Sequence, residues 1–171
     1  VKRLTLLVCT GLLLSGCATF QPVQTVQAPE PEPPARDLIA ELYAMVEAED
    51  AIVVEPLPDP EIEDLRAAAH EALALRDLEL AARNLAQALE IRPGRPDLLQ
   101  LRAEVALGQQ LLDEAEQYAI ASFENGPRLG PLCRRNWAAI QLAREVRGNA
   151  AEAETARAQS QRCTAEPVIR M

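Results

Sequence analysis

Two kinds of side chain in this 171-residue chain could do chemistry: four cysteines, Cys9, Cys17, Cys133 and Cys163, and a single histidine, His70. A thiol can attack an electrophile, ligate a metal, carry an acyl chain or pair as a disulfide, and its compartment decides among these. A histidine works near neutral pH only when another group orients it or shares its metal. No second histidine exists to share one. Serine nucleophile motifs, glycine-rich phosphate loops and histidine-rich metal motifs are all missing from the sequence. Carboxylates are plentiful but mostly alternate with alanine, the pattern of a solvated helix face. The sequence therefore predicts no catalytic residue, no metal and no cofactor.

The first two cysteines lie at the beginning of the chain. Lys2 and Arg3 precede an apolar run from Leu4 to Leu14, followed by small residues. That run is too short to span a bilayer, which needs roughly 18 or more apolar residues, and has the layout of a secretory signal. Leu14-Ser15-Gly16-Cys17 resembles the lipobox of bacterial lipoproteins. The resemblance implies lipid on the Cys17 thiol, palmitate included, and cleavage of residues 1–16 just before it. Ala18 rather than aspartate follows the cysteine, which in the proteobacterial sorting pattern implies the outer membrane, with the protein facing the periplasm of a Gram-negative host.

The full chain has 17 basic and 26 acidic residues, and without Lys2 and Arg3 every remaining base is an arginine. Such an acidic balance argues against nucleic acid as a partner and against attraction to anionic headgroups. Residues 17–36 are rich in proline and glutamine and read as a tether carrying the lipid. Within residues 37–60, Asp37 to Asp50 reads as one amphipathic helix, with Asp37 as N-cap and Leu38, Leu42, Met45 and Val46 on its apolar face. Pro56, Pro58 and Pro60 then end it as a connector.

From Glu61 onward the pattern is helical and periodic. Pro93 and Pro127 lie 34 residues apart, as do Ala81 and Ala115, and Gly148 precedes Ala153 by five. These spacings resemble tetratricopeptide repeats, in which a helix-turn-helix unit keeps a small residue where its helices cross. The resemblance implies an all-α fold: a right-handed superhelix of about three repeats over residues 61–164, plus the N-terminal helix and a tail at 165–171. On this register, repeat two carries about two extra residues between Gly108 and Ala115. The helix at Asp37 is expected to cap one end of the stack and the last helix the other. Trp137 is expected in the core of the third unit.

In that register Cys133 begins the first helix of the third hairpin and Cys163 ends the second, so the two meet. Export to an oxidising compartment then predicts a Cys133–Cys163 disulfide. Arg66 and His70 fall on the concave surface, a candidate binding groove, although a lone histidine is more often a half-buried polar side chain. Some tetratricopeptide domains grip a peptide carboxylate with lysines, and none follows Lys2 here. Acidic residues crowd positions 30–64, whereas arginines, Arg134 and Arg135 among them, crowd positions 128–162. That asymmetry is either ordinary solvation or a basic face that receives an acidic segment.

Together these readings predict a non-catalytic lipoprotein that serves as a scaffold or adaptor for unidentified envelope proteins. Lipoproteins similar in plan assist the assembly of pili and secretion pores or serve as adaptors of cell-wall enzymes. The alternative is a structural link between the outer membrane and peptidoglycan.

Overall fold

The computed structural model describes residues 35–46 and 59–164. The lipobox with Cys17, the tether up to residue 34, residues 47–58 and the tail from 165 lie outside the described residues. The described part falls within one compact unit that starts at Ala35. It is all-helical, with α1 (Leu38–Met45), α2 (Pro60–Ala74), α3 (Leu78–Ile91), α4 (Pro96–Gly108), α5 (Leu112–Asn125), α6 (Pro131–Val146) and α7 (Ala150–Arg162).

The helix ends repeat from unit to unit. Proline opens α2, α4 and α6, where its fixed φ is helical and its missing N–H would have had no partner anyway. The three turns inside the hairpins are alike as well. Arg76, Gln110 and Gly148 have φ of 62°, 61° and 80°. After each, the next residue donates back across the helix end: Asp77 to Ala72 at 2.9 Å, Leu111 to Ala106 at 2.9 Å and Asn149 to Arg144 at 2.9 Å. This is the Schellman stop, which satisfies carbonyls the helix leaves open. Asp77 then caps α3 by accepting from the Leu80 amide at 2.9 Å.

Those turns correct the repeat register. Arg76, Gln110 and Gly148 each precede a buried alanine, Ala81, Ala115 and Ala153, by five residues. The second unit has no extra residues at its turn. Gly108 is not the turn residue; it lies before Gln110, in the last turn of α4. Its role there is to leave room, as described below.

Consecutive hairpins α2–α3, α4–α5 and α6–α7 stack on one another, giving a tetratricopeptide-like fold. The crossing alanines allow the close approach, and Ala81, Ala115, Ala88 and Ala119 are fully buried. The central helix α4 is covered on nearly all sides. Every residue from Leu98 to Leu107 is buried except Arg102. On α7 only Ala153 and Ala156 are buried, so its outer face is polar, as expected of a terminal helix. Trp137 packs against the core and meets Phe123 edge to face at 5.0 Å.

Cys133, in the first turn of α6, and Cys163, which caps α7, form a disulfide with 30 residues of sequence separation. The Gly130 amide donates to the Cys163 carbonyl at 2.7 Å, closing the same end of the hairpin a second time.

Candidate functional site

The helix expected to cap the stack sits elsewhere. α1 lies across α4 and α6, the first helices of the second and third hairpins, and packs on both. Asp37 does cap it, accepting from the Ala40 amide at 3.1 Å. Its buried face consists of Leu38, Ile39 and Leu42, with Val46 partly buried beside them. Met45, expected on that face, is 43% exposed, because the seam between two helices admits a narrower stripe than a flat surface would.

Leu38 and Leu42 join a core with Ala103, Ala106 and Leu107 of α4 and Ala139, Leu142 and Ala143 of α6. Ile39 joins a second core, with Ala69, Leu73, Leu85 and Val105. Its Cδ1 comes so close to Gly108 that a Cβ there would stand 2.6 Å away. Glycine at this position is what lets α1 settle onto α4. Burying three aliphatic side chains contributes about 1.5–3 kcal/mol each. Ordering eight helical residues costs about 1–2 kcal/mol per residue. The two are of the same order, so the polar contacts of α1 decide how firmly it is held.

At the middle of this seam is a carboxylate. Glu104 is fully buried. The Tyr43 hydroxyl donates to its Oε2 at 2.7 Å, and Gln100 donates to its Oε1 at 3.3 Å. Arg135, from α6, forms an ion pair with it and places its guanidinium 5.5 Å from the centre of the Tyr43 ring. A charged group this deep needs such partners to be tolerated. Burial and then the charge of Glu104 hold the Tyr43 phenol protonated, far above its ordinary range. His70, on α2, lies within electrostatic reach of Glu104, Arg66 and Arg135, and burial lowers its pKa.

Further pairs fix the N-terminal end of α1. Asp37 accepts from Arg76 Nη1 at 3.1 Å, at the turn of the first hairpin. Arg36 pairs with Glu41 on α1 and lies 3.5 Å from Glu145 at the end of α6.

The candidate binding residues therefore have mixed fates. Arg135 is engaged beneath α1 rather than open to a partner. Arg66 pairs with Glu63 at 2.9 Å, one turn earlier on α2. His70 is exposed on α2. In the third hairpin Arg135 lies against α1, with its guanidinium over the Tyr43 ring. Arg144 and Arg147 instead hold Glu116, and Arg147 also holds Asp113, both on α5. Tyr43, Gln100 and Glu104 are the members that sequence reasoning missed. The available signal was one acid inside the apolar run of α4.

Chemically, this arrangement ties a phenol, a carboxylate and a guanidinium into one network at the seam. Among the described residues no group of three or more histidine, cysteine or acidic side chains is placed to hold a metal. Among the same residues no helix is long and apolar enough to cross a membrane.

No protein-family model and no curated protein sequence matches the chain. Among solved structures it is similar to the globular C-terminal domain of LpoP from P. aeruginosa. The two are 30% identical, the match covers 61% of this chain and 99% of that one, and the TM-score is 0.58.

Proposed function

We propose, on the premise that this helical domain belongs to the family of the LpoP C-terminal domain, that the protein is a non-catalytic adaptor of the bacterial envelope. Lipid on Cys17 anchors it to the outer membrane, residues 17–36 tether it, and the helical domain reaches into the periplasm to bind another protein. Enzymes that build the cell wall are the first partner class to test, followed by components of pilus or secretion machines. The disulfide supports export, since such bonds persist in oxidising compartments.

The observation that carries the reading is the seat of α1. The face formed by α4 and α6 holds an amphipathic helix through a hydrophobic seam with a charged centre, the form of a surface that binds protein helices.

The experiment is capture of the tagged full-length protein after cross-linking in living cells, with Cys17→Ser as the mislocalised control. A protein enriched only with the intact anchor supports the adaptor. Recovery of cell-wall fragments alone, together with sedimentation on purified peptidoglycan, would replace it with the structural link.

A further inference from the structure

We infer that the seam between α4 and α6 is the partner site itself, and that α1 is a built-in competitor for it. The partner it fits is a short amphipathic helix of another protein. That helix would carry two adjacent aliphatic residues, a third one turn later and a hydroxyl-bearing residue directly after it. This deepens the adaptor reading and rests on it.

The specification follows from the occupant. Leu38, Ile39, Leu42 and Tyr43 supply that pattern: Leu38 and Leu42 enter the seam, Ile39 enters the adjoining core between α4 and the first hairpin, and the hydroxyl of Tyr43 reaches Glu104. Glu104 makes the seat selective. It is fully buried, and a helix that brought only apolar groups, or another acid, would leave its carboxylate short of a donor or facing a like charge. Gln100 lies beside it with Oε1 buried and unpaired, a further acceptor for a donor from the incoming helix.

α1 is also suited to leave. It has eight residues, of which three, Leu38, Ile39 and Leu42, are buried. The sequence is proline-rich on both sides of it, with Pro31, Pro33 and Pro34 before it and Pro56, Pro58 and Pro60 after it. No residue of α1 belongs to the repeat array, whose first helix opens at Pro60. Held in the same chain, α1 meets the seam at an effective concentration on the order of millimolar. A partner helix succeeds by exceeding that, or by arriving already ordered.

The test uses the full chain and a fluorescent peptide corresponding to residues 35–46 of this protein. In the Leu42→Asp chain, α1 carries an acid where the seam is apolar, so the seam is vacated. The peptide is expected to bind this variant at least about tenfold more tightly than the wild type. A peptide bearing the same Leu42→Asp change should bind neither. Equal binding to wild type and variant, or no binding to a variant whose circular dichroism matches the wild type, overturns the inference. Should Leu42→Asp fail to fold, the double variant Leu38→Ala and Leu42→Ala is judged by the same criterion. If peptide binding fails while cellular capture succeeds, the adaptor reading stands and the seam is not its seat. Failure of both removes both.

Discussion

The Tyr43 hydroxyl and the Glu104 carboxylate meet at 2.7 Å across 61 residues of sequence, and this bond joins the short first helix to the most buried helix of the array. A hydrogen bond to a buried charge is worth more than one between neutral groups, and losing its donor strands the acceptor.

Tyr43→Phe should therefore lower stability by about 1.5–3 kcal/mol in urea unfolding at neutral pH. The same group gives a pH signature. An unfolded chain releases a tyrosine proton near pH 10, whereas the folded protein retains this one to higher pH. Its stabilising contribution is complete below pH 10 and declines as the pH rises beyond it. The phenylalanine variant should lose less stability between pH 9 and 11 than the wild type does.

Arg135→Glu should destabilise the fold by about 3 kcal/mol or more, because it sets a second carboxylate against the fully buried Glu104. Arg135→Lys should cost less, since the charge is kept while the fork is lost. Thermal melts of the two variants side by side check this. Reversal of Arg135 thus reports on folding before it reports on binding.

Gln110 occupies a left-handed position where glycine is unstrained, as Gly148 does in the next hairpin. Gln110→Gly should stabilise the domain by about 1 kcal/mol, and Gly148→Ala should destabilise it by a similar amount. No atom lies within 4 Å of where a Gly148 Cβ would sit, so the second effect is purely conformational. Denaturant midpoints of both variants test the pair.

Reduction, or replacement of Cys133 and Cys163 by serine, should cost about 3.5 kcal/mol by loop entropy for this separation. The check is a melting curve with and without reductant. Only the native protein should respond to the reductant, and the serine variant should melt where the reduced protein does.

Gly108→Val should act on α1 first. The added side chain occupies the space of Ile39 Cδ1 and of the Leu78 methyls, which stand 3.1 and 3.2 Å from the added Cβ. Overpacking of this kind costs about 1–3 kcal/mol. Hydrogen exchange should show lost protection at residues 38–45, while the amides of α5 and α7 keep theirs.

Much of this fold was legible because local rules write it directly. A proline just past a helix end, as at Pro93 and Pro127, an aspartate at the N-cap of α1 and alanines at the helix crossings each act within a few residues, and the structure follows them. The Cys133–Cys163 pairing was legible because the two ends of one antiparallel hairpin must meet. Where α1 docks was not legible. An amphipathic helix declares which face it hides but not which surface hides it, and several apolar seams in a helical array would satisfy Leu38 and Leu42 equally. Gly108 misled for a related reason. Glycine serves both turns and close approaches, and only the third dimension tells the two apart. Glu104 looked like one more exposed acid, because its burial depends on Tyr43 and Arg135, which are distant in sequence.

In a linear stack each hairpin touches only its neighbours, so such arrays can fray or open one unit at a time. Here α1 short-circuits the line. Arg76 in the first hairpin and Glu145 in the third are bridged through Asp37 and Arg36, and the apolar side chains of α1 enter both cores. With α1 seated, the three hairpins are expected to melt as one cooperative body. Without it they are expected to behave as a chain of loosely coupled units, so occupancy of a single seam would set how many parts the domain has.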